Sequence, residues 1–204
     1  MRSRSAAGLL QNQGFQAISL EGGILAWHGL VSRAAVDQGM YLLEGRETPE
    51  EALALAYGLE EGARRFYQEL ASEAGEAAVS SLFAALAEAE VRHEDRLWGA
   101  YRRRAGAEPN RETFERTVVV PAVEGGLSAD QVLARWGGVP GDPEEAIELA
   151  MALETDSLDL YLRMAGQMTE DARSVFLDLA SEERAHLARL GEQLGRRAAG
   201  GPSA

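Results

Sequence analysis

The sequence of 204 residues has the length of one domain of ordinary size, and its 46% hydrophobic and 26% charged residues exclude wholesale disorder and a collagen-like fold. Its 33 acidic residues outnumber 20 basic ones, all of them arginine, and the resulting net charge of -13 predicts binding to neither nucleic acid nor anionic lipid. Because cysteine is absent, disulfides, thiol catalysis, zinc fingers and iron-sulfur centres are excluded, and a bound metal needs oxygen and nitrogen ligands.

No transmembrane segment is predicted. Uncharged stretches such as Gly22–Ser32 are too short, and too often interrupted by glycine or polar residues, to cross the roughly 30 Å of hydrocarbon in a bilayer. The basic start, Met1 to Ser5, is not followed by the apolar run of a secretory signal. We therefore expect a cytoplasmic protein without a membrane span.

Residues 1–45 have a mixed pattern that is rich in glycine and glutamine. We predict a helix over Ala6–Gln13, a strand over Phe15–Leu20 and a short helix over Leu25–Leu30, followed by a linker over Val31–Arg46. A segment of this length is too short to form a core of its own. It should therefore pack on the rest of the chain or on a second copy, which predicts a homo-oligomer, most simply a dimer.

Three motifs in this segment, Arg2–Ala7, Gly14-Phe15 and Leu20–Trp27, resemble the last third of a rhodanese domain. In that family the sulfur-carrying cysteine precedes the Arg-Ser stretch by a few residues, and this chain has no cysteine. The resemblance implies a truncated rhodanese-like fragment over residues 1–45, with no sulfurtransferase activity by this chain.

Residues 46–204 predict an all-α domain built from two helical hairpins. Thr48 and Asp142 are good N-caps, and each is followed by proline at the first helical position and by glutamate at the third. Thr169 is predicted to cap the fourth helix, and apolar residues recur at intervals of three and four along the helices. The predicted helices cover residues 49 to about 73, 76–104, 143–167 and 170 to about 197.

The segment Ala105–Gly141 joins the hairpins and is much longer than a turn between antiparallel neighbours. It contains the β-branched run Thr117–Val120 and a predicted short helix over Leu127–Trp136. A helix of 26 residues is about 39 Å long, and an extended chain covers about 3.3 Å per residue, so the segment can cross the full length of a bundle. We therefore predict a four-helix bundle with the order up, down, down, up.

The two hairpins repeat one pattern. The segment Thr48–Ala52 reappears 94 positions later as Asp142–Ala146, and the second helix of each hairpin matches the other at an offset of 93. The matched polar residues are Glu60 with Glu154, Tyr67 with Tyr161, Glu90 with Glu183, and His93 with His186.

The repeated glutamates lie inside the apolar stripes of their helices. Glu60 follows Ala56 by four residues and precedes Ala63 by three, which places its carboxylate toward the core. Glu60 lies 15 residues before Gly75 and Glu90 lies 15 residues after it, so the two glutamates face each other at one height. The second hairpin repeats this arrangement, and we predict four core glutamates at one level with the two histidines one turn away.

Four ionised carboxylates in a dry core need a compensating charge, because burial and mutual repulsion would otherwise protonate them. Two divalent ions supply four positive charges, and two neutral imidazoles complete the ligands. Glutamates on all four helices with two Glu-x-x-His motifs are the ligand arrangement of di-iron and di-manganese bundles. Carboxylate and imidazole ligands favour iron or manganese over copper or zinc.

This pattern resembles the di-iron domain of the rubrerythrins, within the ferritin-like superfamily, over residues 48–198. The resemblance implies two iron ions, with one histidine on each. Glu90 and Glu183 would bridge the ions, and Glu60 and Glu154 would each be terminal on one ion. The implied ligands are Glu60, Glu90, His93, Glu154, Glu183 and His186, with Tyr67 and Tyr161 donating hydrogen bonds to carboxylates.

The sequence departs from the rubrerythrin pattern at two points. Rubrerythrins carry a further glutamate ligand three residues after the glutamate of the third helix, where this chain has Ser157. They also carry a rubredoxin-like domain with four cysteines, so electrons must reach this chain from an external donor protein. Glu94 and Glu182 lie beside the predicted site and are candidates for occasional ligands.

Three functional hypotheses follow. The first is an oxidoreductase that reduces hydrogen peroxide or dioxygen with electrons from the external donor. The second is a ferroxidase, iron-binding or storage protein that feeds iron to a cage or partner. The third is a metal-free scaffold, because single glutamates on helices are usually solvated.

Overall fold

The computed structural model describes residues 47–106, 109–118, 122–123, 127–168 and 170–200, all within the compact unit Asp37–Ala204. The elements predicted in residues 1–45, the rhodanese-like motifs and the cap Thr169 lie outside the described residues. The described residues form six helices: α1 Pro49–Glu73, α2 Ala77–Arg104, α3 Arg111–Thr117, α4 Ala129–Trp136, α5 Pro143–Gln167 and α6 Glu170–Gly200.

The first helices of the two hairpins begin at the predicted caps. The hydroxyl of Thr48 accepts a hydrogen bond from the amide of Glu51 at 3.2 Å, and the Glu51 carboxylate accepts one from the amide of Thr48 at 2.8 Å. One carboxylate oxygen of Asp142 accepts from the amides of Glu144 and Glu145, at 2.8 and 3.0 Å. These bonds satisfy amides that a helix start would otherwise leave unpaired.

Two short helices occupy the described part of the connection between the hairpins. Helix α4 agrees with the helix predicted over Leu127–Trp136. Helix α3 was not predicted, because seven residues carry little periodicity and its end overlaps the β-branched run. Asn110 caps α3 by accepting a hydrogen bond from the amide of Thr113 at 3.0 Å. At the other end of the chain, α6 continues three residues beyond the predicted end at Arg197, through the strong helix formers Ala198 and Ala199.

Two hydrogen bonds between the hairpins establish the direction of the helices. Tyr67 of α1 donates to Glu154 of α5, and Tyr161 of α5 donates to Glu60 of α1. Residue numbers rise along α1 as they fall along α5, so these two helices are antiparallel. Because each hairpin is itself antiparallel, α5 runs in the same direction as α2. The predicted order of up, down, down, up is confirmed.

The hydrophobic core is divided into two clusters along the bundle axis. On α1 the boundary falls between Leu59, in one cluster, and Ala63, in the other. On α5 it falls between Leu153 and Leu160. The part of the chain described here is entirely helical outside its turns and connections, and it forms the predicted ferritin-like bundle. None of its helices combines the length and the apolar character required for a membrane span.

The connection approaches α1 most closely at Gly62. A Cβ atom added to Gly62 would lie 2.1 Å from the backbone oxygen of Ala122. Only glycine therefore allows the two backbones to come this close. At the matched position of α5, the chain has the partly buried Asp156.

Candidate metal centre

The polar side chains buried at the boundary between the two apolar clusters include the four glutamates and two histidines of the repeat. Their exposed fractions are between 0% and 5%. We call this group the six-residue cluster: Glu60, Glu90, His93, Glu154, Glu183 and His186. The repeated pattern predicted that these residues would meet in the core, and the bundle brings them together there.

His93 stands at the centre of the contacts in the first hairpin. Its Nδ1 atom lies 3.0 Å from Oε2 of Glu90 and 3.3 Å from Oε2 of Glu60. The same atom lies 3.2 Å from Oε1 of Glu183, which belongs to the other hairpin. His93 therefore faces carboxylates from three different helices.

His186 has the matching position in the second hairpin. Its Nδ1 atom lies 3.0 Å from Oε2 of Glu154 and 3.2 Å from Oε2 of Glu183. The rings of His186 and His93 are stacked, with centroids 5.5 Å apart and an angle of 24° between their planes. In both histidines, Nδ1 is the ring nitrogen that faces the glutamates of the cluster.

Two buried tyrosines connect the hairpins to this cluster. The hydroxyl of Tyr67 donates a hydrogen bond to Oε1 of Glu154 at 3.2 Å, and the hydroxyl of Tyr161 donates a short one to Oε1 of Glu60. Each tyrosine thus holds a glutamate of the opposite hairpin. A donated hydrogen bond stabilises the ionised carboxylate and orients it.

The pKa shifts in the cluster arise from burial, from neighbouring charges and from hydrogen bonds. Burial raises the pKa of Glu60, but the charge of His93 and the hydrogen bonds to the carboxylate outweigh burial and hold this pKa below its usual value. The pKa of Glu154 is lowered in the same way, against burial, by its hydrogen-bonding contacts with Glu183 and His186 and by the charges of the two histidines. Burial lowers the pKa of His93, whereas the surrounding carboxylates raise it further, with a net increase.

The cluster has the donor set of a site for hard metal ions. Single ligand atoms from Glu60, Glu90 and His93 lie within 4.8 Å of one another, and so do atoms from His93, Glu183 and His186. Two protonated histidines would offset at most two of the four carboxylate charges. The oxygen and imidazole donors fit iron or manganese, and metal ions would supply the missing positive charge.

The neighbouring residues singled out in the sequence take different positions. Glu94 forms an ion pair with Arg64, with Nε 2.6 Å from Oε1, and burial raises the pKa of its carboxyl group. Ser157 is buried and donates a hydrogen bond to the carbonyl of Leu153, in its own helix, at 3.1 Å. Glu182 approaches the far side of His93, where Oε2 lies 3.3 Å from Nε2.

The Arg64–Glu94 pair was missed by the sequence analysis, although the repeat contained a signal for it. The matched positions in the second hairpin are Leu158 and Leu187, both partly buried. Leucine at both matched positions indicates that these sites face other helices rather than open solvent. A charged residue at each position in the first hairpin therefore needs a partner of opposite charge.

Comparison with known proteins agrees with the fold and the donor set. The chain resembles a solved structure of a hypothetical protein from Pyrococcus furiosus, with 24% sequence identity, a TM-score of 0.53, and coverage of 76% of this chain and 92% of that one. No curated protein matches the sequence significantly. The rubrerythrin family profile matches residues 51–194, which include all six residues of the cluster. This chain therefore belongs to the rubrerythrin family.

Proposed function

We propose that this chain is a carboxylate-bridged di-iron oxidoreductase that reduces hydrogen peroxide or dioxygen with electrons from an external donor. The observation that carries the proposal is the group of four buried carboxylates and two imidazoles on four helices. Membership of the rubrerythrin family supports iron as the metal. The donor set also suits manganese, which the metal analysis below separates from iron.

In this proposal the two halves of the cluster each hold one ion. Glu60 and His93 would hold one ion, Glu154 and His186 would hold the other, and Glu90 and Glu183 would be shared between the two. The distances from His93 to glutamates of both hairpins support a shared site rather than two separate ones. The assignment of the two histidines to different ions follows the repeat.

The protein's own residues contribute geometry and exclusion of water. Tyr67 and Tyr161 hold the terminal glutamates through hydrogen bonds across the bundle. The apolar clusters on both sides separate the site from bulk solvent, which strengthens electrostatic interactions within it. When bound, a ferrous pair supplies the electrons that reduce peroxide or dioxygen.

A ferroxidase, iron-binding or storage function is the second candidate, and the observation at Ser157 favours it. Position 157 is a serine, whose hydroxyl bonds to its own helix, so it offers no further carboxylate for the ligand exchange linked to peroxide reduction in rubrerythrins. Size measurement separates the candidates, since a storage cage would elute far larger than a dimer.

Metal analysis and rapid kinetics test the proposal. Protein produced with iron should contain two ions per chain, Glu90→Ala should lose bound metal, and His93→Ala should lose at least the ion that His93 would bind. Glu192→Ala, at an exposed position of α6, is the matched control and should keep both ions. Equal metal content in all variants would refute the site. Stopped-flow oxidation of the reduced protein by peroxide and by air then identifies the oxidant.

We also propose that residues 1–45 are a rhodanese-like segment, and that residues 46–204 form the bundle domain as part of a homodimer. Limited proteolysis with size measurement tests this proposal. Resistance of the segment, together with a dimeric mass, would support it. Immediate trimming that leaves a monomeric bundle would contradict it. A cytoplasmic location stays a prediction from the sequence.

A further inference from the structure

The two histidines of the cluster differ on the side that faces away from the carboxylates. Nε2 of His93 lies 3.3 Å from Oε2 of Glu182, and Oε1 of Glu182 lies 2.5 Å from Nη1 of Arg96. The position in α2 that matches Glu182 is occupied by the buried Ala89. Among the described residues, no carboxylate is recorded beside Nε2 of His186. The repeat is therefore broken at this contact as well.

The contact with Glu182 involves a buried ring nitrogen, Nε2 of His93. The His93 side chain is 1% exposed, and Nε2 has no hydrogen bond of good geometry within the described part of the chain. A buried nitrogen of this kind is costly to leave without a partner. The Glu182 carboxylate is within reach and is one-third exposed, so it can rotate without disturbing the core.

We propose that Glu182 is a positioning residue for His93 and makes the two metal positions of the site inequivalent. With a metal ion bound, Glu182 would accept a hydrogen bond from Nε2–H of His93, which would leave the lone pair of Nδ1 for the ion held with Glu60 and Glu90. Arg96 holds the other oxygen of Glu182 in place at the surface. This inference rests on the proposed metal-binding function. It adds Glu182 to the residues that support the site and predicts which of the two ions binds more tightly.

The physical reason is the effect of a carboxylate on a ligating imidazole. A carboxylate that accepts the second ring proton fixes the tautomer and the ring orientation and increases the basicity of the ligating nitrogen. Losing such a partner typically weakens metal binding 10–100-fold. Among the residues that the structure describes, only His93 has such a partner, so the ion it would bind should be held more tightly than the ion of His186.

A calorimetric titration of the full chain with Co²⁺ measures the two binding events separately. We expect Glu182→Ala to weaken the tighter event about 10–100-fold and to leave the other unchanged. Glu182→Gln, whose amide oxygen still accepts a hydrogen bond without the charge, should give a smaller loss. Glu192→Ala is the matched control, because Glu192 is an exposed glutamate of the same helix with an arginine partner, Arg196.

A double-mutant cycle assigns the effect to His93. In the His186→Ala background, Glu182→Ala should still weaken the remaining event, whereas in the His93→Ala background it should change nothing. Equal titrations of Glu182→Ala and the unmodified chain would overturn the inference. So would an effect of Glu182→Ala that persists in the His93→Ala background.

Nitrogen NMR of the metal-free chain distinguishes failure of this inference from failure of the proposed function. At alkaline pH, where the ring is neutral, carboxylates face both ring nitrogens of His93, and Glu182→Ala should shift the tautomer population toward Nδ1–H. If the unmodified chain binds no Co²⁺ but shows this shift, the metal function fails and the positioning role stands. If the chain binds two ions and the tautomer does not respond to Glu182→Ala, only the inference fails.

Discussion

The two hairpins share the residues of the six-residue cluster and differ in what surrounds them. Beside the cluster, the first hairpin carries the Arg64–Glu94 ion pair, and the second has the partly buried Leu158 and Leu187 at the matched positions. Helix α3 contacts the first hairpin through a hydrogen bond from Tyr57 to Glu115. The repeat therefore retains the polar centre while its flanks are polar in one half and apolar in the other.

This difference shows which features the two halves require in common. A buried carboxylate needs a specific partner wherever it occurs, so the cluster must be complete in both halves. The positions beside the cluster need only side chains that fill the space between the helices, and either an ion pair or two leucines can do so. Substitutions at matched positions test this distinction.

The largest effects are expected at the matched phenylalanines. Phe83 and Phe176 are fully buried, and their rings stack on Tyr67 and Tyr161 with centroids 6.0 and 6.2 Å apart. Phe83→Ala and Phe176→Ala should each lower the free energy of unfolding by about 3–5 kcal/mol, measured by urea denaturation. Leu177→Ala, at an exposed position beside Phe176, should cost less than about 1 kcal/mol. A gap of more than about 2 kcal/mol between the two phenylalanine variants would show that the halves pack differently.

The Arg64–Glu94 pair should give the next largest effect. Arg64→Leu leaves the buried carboxylate of Glu94 without its closest partner and should cost about 2–3 kcal/mol, since Arg111 at 3.9 Å offers partial compensation. Adding Glu94→Leu recreates the leucine pair of the second hairpin. The double variant should unfold within about 1 kcal/mol of the unmodified chain or be more stable.

Arg65→Leu is the matched control for this pair, because Arg65 forms an exposed ion pair with Glu61 in the same helix. Its cost should stay below about 0.5 kcal/mol. If the double variant is as unstable as Arg64→Leu alone, the flank does require charge, and the distinction between centre and flanks is wrong.

Gly62→Ala tests the contact between the connection and the first hairpin. Alanine is the better helix former by about 1 kcal/mol, but the added Cβ would meet the backbone oxygen of Ala122. We expect a net loss of about 1–2 kcal/mol and faster proteolysis of the connection. Gly191→Ala, in α6 with no atom near the added Cβ, should instead stabilise the chain by up to about 1 kcal/mol. Equal gains in both variants would contradict the close approach.

The smallest effect concerns the pH dependence of Glu115. The hydrogen bond from Tyr57 and the adjacent Arg111 lower the pKa of Glu115. A lowered pKa contributes stability above the unfolded value of about 4.3, and this contribution is lost as the pH falls through the folded value. Because the side chain is 38% exposed, solvent screening limits the contribution to a few tenths of a kcal/mol. In urea unfolding, Glu115→Gln should therefore be slightly less stable than the unmodified chain at pH 7 and equally stable near pH 3. A loss of stability in Glu115→Gln that grows as the pH falls would contradict this prediction.

The first residues of α1 and α5 could be predicted because local capping interactions determine where these helices begin. The caps Thr48 and Asp142 act within four residues, and the structure has both helix starts where they were predicted. The meeting of the cluster residues could also be predicted, since apolar neighbours define the buried face and equal distances from a turn define equal heights. Helix α3 was missed because its stability depends on contacts such as the Tyr57–Glu115 hydrogen bond, which join residues 58 positions apart.

Sequence alone determined the helical hairpins, their repeat, and the four buried glutamates with two histidines, because periodicity and capping act over one or two turns. Only the tertiary structure decided that Glu94 pairs with Arg64 and that Glu182 stands behind His93. Both contacts join different helices, and the rotation of one helix against another depends on how all the core side chains pack together. The spacing of residues along the chain does not specify how the helices are rotated against one another.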